Sequence, residues 1–299
     1  MAAKSVRVFR VAAGATTRWV LEADGRTHDL SAWLAEHEPA LGADLAALFA
    51  RGFFERTRLG RVLASGALRA CAAPGPHAVA VPVDPAQVGK ILALGKNFRE
   101  HAAEFGEQVP EEPLFFNKLP ETLVPHGSIV APPAWYAARF DHEAELCVVV
   151  SKGGKSIPAA RALEHVGGYT VANDLTLRTL QGSDRDKKYP WFRAKNFDGA
   201  CPLGPCFVPR DFFDLADARV GARVNGAVRQ SASTKDLVVD VAHALEFVSS
   251  HLTLAPLDLI LMGTPSGVGP LADGDEVVCS VQGIGELATR IARPAAVKA

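Results

Sequence analysis

The chain has 299 residues, 48% hydrophobic and 22% charged, and its 32 Lys and Arg against 33 Asp and Glu leave a net charge of −1. That length suits one or two domains with a core that needs no cross-links, and the balanced charge excludes a global field that would draw in nucleic acid or an anionic membrane. No stretch reaches the ~18 consecutive apolar residues of a membrane span, and the composition excludes disorder, collagen-like repeats and a disulfide scaffold. Cys71, Cys147, Cys201, Cys206 and Cys279 are widely spread and form no CxxC pair, which reads as a reduced cytoplasmic protein with small buried thiols.

In chain order, the first 21 residues lack acids and carry Lys4, Arg7, Arg10 and Arg18, as transit peptides do. Against that reading, residues 6–11 alternate like a strand and run into a hairpin signal. Asp24-Gly25 between two strand-like runs marks this tight β-hairpin. Ser31 is expected to cap a short helix, and residues 43–54 repeat apolar side chains at helical spacing. Pro74, Pro76, Pro82 and Gly75 then crowd residues 72–83, which sets a domain boundary near residue 85. The chain before it reads as a small α+β accessory domain, and residues 86–299 as the larger one.

Past Val88 the signals favour strands, at residues 90–94, 145–150, 169–172, 259–262 and 276–281, bounded by Gly, Pro, Asn and Asp. One helix is predicted from about residue 236 to 251, with Thr234 as its N-cap. Gly283-Ile284-Gly285 reads as a closing hairpin. The expected fold class is α+β, mostly β, without a repeated βαβ period.

The most informative run is DHEAELCVVV, residues 141–150. Alternation along a strand points Glu143 and Glu145 to one face, roughly 7 Å apart along the chain. Two buried like charges need a cation, whereas two glutamates on a solvated strand end do not. Asp174, at the end of the apolar run GGYTVAND, adds a third carboxylate. Three oxygen donors with no Cys suit a hard cation, Mg²⁺, Mn²⁺ or Ca²⁺, with positions left for water and substrate; surface acids are the alternative.

In the segment GKNFREHAAEFG, residues 95–106, a helix would put His101 and Glu104 on one face. Glu104 would then fix the tautomer of His101, and the other ring nitrogen would be left to take a proton. An ordinary surface i, i+3 pair is the competing reading. Helical spacing would also bring Asp174, Arg178 and Gln181 to one side, and WFRAKNFD places Lys195 among aromatic residues. Arg178 and Lys195 beside a cation would suit a carboxylate-bearing substrate; a salt-bridged Arg and a snorkelling Lys are the alternatives. GTPSGVGP, residues 263–270, is neither a Walker loop nor a dinucleotide fingerprint, although its amides could receive a carboxylate.

Taken together, GKNFREHAAE, FFNK, DHEAELCVVV, GGYTVANDLTLRTLQ, WFRAKNFDGACPLGP, VNGAVRQ and LILMGTPSGVG resemble the fumarylacetoacetate hydrolase family, in the family's order, over roughly residues 88 to 293. The pattern is most similar to its acylpyruvase-like and dienedioate-isomerase-like branches. The resemblance implies a mixed β-sheet roll and a homodimer. It implies metal ligands at Glu143, Glu145 and Asp174, a catalytic His101–Glu104 dyad, a catalytic Lys195, and substrate contacts at Arg178, Gln181 and Thr264. Lys118 matches a lysine that follows the family's FF/FL strand. Some relatives carry a fourth acidic ligand just before the histidine, where this chain offers Asn97. The first 85 residues resemble the variable leading domain of longer members.

The reaction implied is metal-dependent hydrolysis of a C–C bond in a small 2-oxo acid of the acylpyruvate or fumarylpyruvate type. Water activated by His101 would attack the remote carbonyl, and a metal-stabilised enolate would leave. Decarboxylation or isomerisation of a related 2-oxo or 2-hydroxydienoic diacid needs the same carboxylates and is the alternative. A non-catalytic metal-binding protein on the same fold is a third reading.

Overall fold

The structure is a computed structural model, and it describes residues 3–42, 44–75, 78–100 and 111–293. Its centre is a mixed sheet of ten strands among those residues. Ala144–Val150 lies in the middle, antiparallel to Val166–Asn173 on one side and to Leu259–Leu261 on the other. Leu259–Leu261 continues in parallel to Ile91–Gly95, which pairs with the edge strand Leu114–Lys118. On the other flank Val166–Asn173 pairs with Cys201–Pro209. The N-terminal meander Val6–Ala13, Thr16–Ala23, Arg26–Asp29 then joins the sheet, with Val8 opposite Phe207. Fold class is as the sequence implies, α+β and mostly β.

Ala144–Val150 is buried along its whole length, which is why it reads as a continuous apolar run rather than an alternating one. Leu146, Val148 and Val150 enter one hydrophobic core, and Cys147 and Val149 enter the other, on the opposite sheet face. The second core also takes in Leu21, Leu34, Leu48 and Phe53 from the N-terminal elements. A separate sheet of five strands includes the hairpin Glu276–Val281 and Gly285–Ile291, closed where the sequence signals it.

The first hairpin turns at Asp24 (φ 46) and Gly25 (φ 78), the left-handed pair that a two-residue turn requires. Three helix starts differ from expectation. Asp29, not Ser31, caps the Leu30–His37 helix by accepting from the Ala32 N–H at 2.9 Å, while the Ser31 hydroxyl accepts from the Trp19 N–H. The expected 43–54 helix is shorter, Leu45–Ala50. Asp44 caps it and Gly52 (φ 61) follows its end; Ala43 lies outside the described residues.

The 236–251 helix begins at Val241, capped by Asp240 rather than Thr234. Upstream, Ser233 and Asp236 close a capping box on a single 3-10 turn. Leu237–Val239 is then drawn into backbone hydrogen bonding with Phe98 and Asn97, which competes with helix. Among the described residues no helix is long and apolar enough to cross a membrane.

Candidate active site

Strand register assembles the acids. Asn173 lies opposite Ala144 and Ala172 opposite Glu145, so Asp174 emerges beside Glu143, whose carbonyl accepts the Asp174 N–H at 2.8 Å. One carboxylate oxygen from each of Glu143, Glu145 and Asp174 lies within 4.8 Å of the others, and all three residues are buried. Asp174 is not on the helix with Arg178 and Gln181. The short strand Thr176–Leu177 intervenes, and the helix runs over Arg178–Asp186.

Cations surround this cluster. The Lys195 ammonium donates to Asp174 Oδ2 at 2.6 Å, Glu143 Oε2 at 2.8 Å and the Thr176 hydroxyl at 2.8 Å, and it sits 4.9 Å from the centre of the Phe116 ring. Burial works against its charge, but Asp174 and Glu143 outweigh burial and hold its pKa above the ordinary value. The Lys118 ammonium, also buried, donates to Asp174 Oδ1 at 2.7 Å and to the Lys195 carbonyl at 2.6 Å. It does not line the pocket, so it acts on the cluster from behind. Arg178 donates to Glu143 Oε1, to Asp141 Oδ2 at 2.8 Å and to Gln181 Oε1 at 2.6 Å. Burial opposes its charge too, and Glu143 and Asp141 overcome it.

Glu145 differs from its neighbours. Its Oε2 accepts the Gly263 N–H at 2.7 Å, and among the described residues it has no ion-pair partner. The glycine-rich turn after Leu259–Leu261 thus does bind a carboxylate, one of the protein's own. Burial and the charges of Asp174 and Glu143 push the Glu145 carboxyl well above the usual range. An acid held this way beside two more buried carboxylates fits a divalent cation, and the all-oxygen donor set fits a hard one.

The cluster opens on a pocket of about 220 Å³ lined by Glu143, Glu145, Arg178, Gln181, Lys195 and Thr264, with Leu94, Phe116 and Trp191 as apolar wall. The Thr264 hydroxyl donates to the Ala144 carbonyl at 2.9 Å and accepts from Gln230 Nε2 at 2.8 Å. Asn97 spends its amide on the Val239 and Met262 carbonyls and the Val239 N–H, so it is a structural brace, not a fourth cation ligand. His101 and Glu104 lie outside the described residues.

Asp141, Thr176 and Gln230 belong to the site as well. Asp141 was findable, since it continues the Glu143, Glu145 alternation by two residues; buried, it is paired with Arg178 and with Arg139 at 2.9 Å. Gln230 carried no local signal. It bridges the Ala144 N–H, Thr264 and the Pro265 carbonyl, elements distant in the chain.

A mixed sheet that presents a buried cluster of three carboxylates, able to hold a metal ion, at the floor of a pocket defines the class of protein. Residues 90–292 match the family model for the C-terminal part of fumarylacetoacetate (FAA) hydrolase, and the chain belongs to the fumarylacetoacetate hydrolase family. Members of this family are enzymes. The chain is similar to a mitochondrial oxaloacetate decarboxylase of Dictyostelium discoideum, 37% identical over 65% of this chain and 89% of the relative. It is also similar to the solved fumarylacetoacetate hydrolase of Exiguobacterium antarcticum, at 31% identity and TM-score 0.80 over 97% of this chain and all of that one. The fumarylpyruvate hydrolase of Pseudomonas aeruginosa, solved in complex with Mn²⁺ and pyruvate, is 32% identical. Its TM-score is 0.67, over 75% of this chain and 99% of that one.

Proposed function

We propose that the protein is a divalent-cation-dependent hydrolase that cleaves a C–C bond in a 2-oxo acid of the acylpyruvate or fumarylpyruvate type. The observation that carries this reading is the buried cluster of Glu143, Glu145 and Asp174 at the floor of a pocket that also holds Arg178, Gln181 and Lys195. The three carboxylates would hold Mg²⁺ or Mn²⁺, which when bound supplies Lewis-acid polarisation of the 2-oxo group and charge stabilisation for enolate character. A related hydrolase solved with Mn²⁺ and pyruvate supports that choice.

The chain's own groups do the rest. Arg178, fixed by Asp141, offers the substrate carboxylate a charge-assisted contact, and Gln181, fixed by Arg178, orients it. Lys195 opposes negative charge that develops on the oxygen next to the breaking bond. Lys118 keeps Asp174 and the Lys195 turn in place. Phe116 and Trp191, 5.6 Å apart by ring centre, keep bulk water from that side. His101, oriented by Glu104, is proposed as the base that takes a proton from water. The hydroxide adds to the remote carbonyl, and cleavage gives one carboxylic acid and one pyruvate.

The test is turnover of an acylpyruvate panel by purified protein with Mg²⁺ or Mn²⁺, read as two acid products. No cleavage of any member overturns the proposal. Likeness to a named oxaloacetate decarboxylase favours a second reading, decarboxylation or tautomerisation at the same site; release of CO₂, or a shifted proton without cleavage, identifies it.

A further inference from the structure

The central strand loses its neighbour where the site begins. Leu261 lies opposite Cys147, and the Met262 N–H donates to the Leu146 carbonyl at 2.9 Å. The same register, carried two residues on, would set the Thr264 backbone against Ala144. Gly263 (φ 85) turns the chain aside first, and a Cβ there would come within 2.8 Å of the Asn97 Cβ. The N–H and C=O of Ala144, buried at the edge so opened, must find other partners.

Two side chains supply them. Gln230 Oε1 accepts the Ala144 N–H at 3.0 Å, and the Thr264 hydroxyl donates to the Ala144 carbonyl at 2.9 Å. Gln230 Nε2 closes a ring by donating to the Thr264 hydroxyl at 2.8 Å, and its other proton goes to the Pro265 carbonyl at 2.7 Å. A backbone N–H only donates and a carbonyl only accepts, so the amide sits one way round and Thr264 spends its proton inside the ring. Gln230 is the one buried residue of the strand Ala227–Ser233, in the separate five-stranded sheet. A Cβ at Gly267 (φ 94) would lie 1.9 Å from the Arg229 carbonyl oxygen, so glycine lets the turn close on that strand.

Ala144 stands between two of the three acids. Its N–H belongs to the peptide plane shared with Glu143 and its carbonyl to the plane shared with Glu145. The soft torsions between those planes are φ and ψ of Ala144 alone. The ring holds both planes at once, which fixes how the two glutamate side chains stand to each other, and the Gly263 N–H ties Glu145 to the same turn. We infer that Gln230 is a positioning residue for the cation, a role that rests on the functional reading above for the ion and not for the reaction. Through Thr264 and the two peptides of Ala144, it keeps Glu143 and Glu145 in the arrangement that receives a divalent ion.

The test is calorimetric Mn²⁺ binding to the full chain, together with the electron paramagnetic resonance spectrum of the bound ion. Gln230→Met keeps the length of the side chain and removes both polar atoms. It should weaken Mn²⁺ binding about 10- to 100-fold and change the spectrum of the ion still bound. Thr264→Val should do the same, whereas Thr264→Ser, which keeps the hydroxyl, should bind Mn²⁺ as wild type does. The Gln230→Met, Thr264→Val double variant should lose no more than the weaker-binding single one, since either change opens the ring. A Gln230→Met protein that unfolds in one cooperative urea transition, yet keeps wild-type affinity and spectrum, overturns the proposal, as does full additivity of the two losses. Hydrogen exchange needs no variant: the Ala144 amide of the unaltered protein should be among the slowest in the chain, and exchange at loop rates overturns the ring. Failure to cleave acylpyruvates would overturn the hydrolase reading and leave this one standing, whereas failure of wild type to bind Mn²⁺ would overturn both.

Discussion

Replacing Glu145 by Gln should move two observables in opposite directions. The carboxylates of Glu143, Glu145 and Asp174 approach within 4.8 Å, and at an effective dielectric of about 20 two like charges at that separation repel by ~3.5 kcal/mol. Glu145 faces two of them. The Lys195 ammonium, touching both neighbours, offsets roughly one, so above the raised Glu145 value removing the charge relieves about 3 kcal/mol in the cation-free protein. The Gly263 N–H keeps an acceptor, the amide oxygen. Urea unfolding in chelator should therefore show a raised midpoint for the variant.

Manganese affinity should meanwhile fall about 100-fold or more, ~2.7 kcal/mol at 1.36 per decade. The pH dependence follows from the raised Glu145 carboxyl. Its stabilising contribution is present below the ordinary value of 4.5 and is lost as pH rises through the raised value, a slope that Glu145→Gln removes. A variant that is less stable in chelator yet binds Mn²⁺ as well as wild type would refute the reasoning and make Glu145 a structural acid.

Thiol labelling gives a second check: burial pushes the Cys201 and Cys206 thiols up to about 12, and Cys147 and Cys279 are equally buried. A thiol reagent at neutral pH should label Cys71 rapidly and the other four only on unfolding, so rapid labelling of all five contradicts the core. The Asp240 hydrogen bond and charge hold His243 above 6.5; this pair stabilises fully below 6.5 and is lost as pH rises through the higher value. Proton NMR should show His243 titrating above 6.5 and returning towards it in Asp240→Asn, which keeps a capping acceptor; an unmoved titration refutes the pairing. Lys118→Met should cost about 1–3 kcal/mol, by leaving Asp174 Oδ1 and the Lys195 carbonyl without their donor while Lys195 still holds Asp174 Oδ2. The Lys118→Met, Asp174→Asn double variant should cost less than the sum, and strict additivity in denaturant melts would show that the two do not interact.

What the sequence makes legible is what depends on local period. The central strands, the two hairpins and the Glu143, Glu145 alternation follow from side-chain spacing two residues apart, a property of each segment alone. What it hides depends on distant partners. The late start of the Val241–His251 helix is set by Asn97, far upstream, whose backbone carbonyl and side-chain oxygen take the Val238 and Val239 amides. The place of Lys118 behind the cluster, rather than in the pocket, depends on how Leu114–Lys118 meets the Phe192–Lys195 helix. Helical spacing puts Asp174, Arg178 and Gln181 on one side, but the Thr176–Leu177 strand, formed by pairing with Phe140–His142, cuts that period.

Charge around the pocket floor ties cation and substrate together. Among the described residues the four acids Asp141, Glu143, Glu145 and Asp174 stand beside the four bases Arg139, Lys118, Lys195 and Arg178, so with Glu145 ionised the cluster sums to zero without a metal. A divalent cation raises that sum to +2, with Lys195 and Arg178 still lining the pocket. Neutrality is recovered by a ligand head of charge −2, such as oxalate. Cation and acid should therefore bind with positive coupling, of the usual ~1–3 kcal/mol, and by linkage each should raise the other's affinity by one and the same factor. Calorimetric titration of Mn²⁺ with and without oxalate, and of oxalate with and without Mn²⁺, measures both factors once the complex the two form in solution is subtracted. Independent binding would mean that Arg178 and Lys195 do not serve the acid, and their assignment to the substrate head would fall.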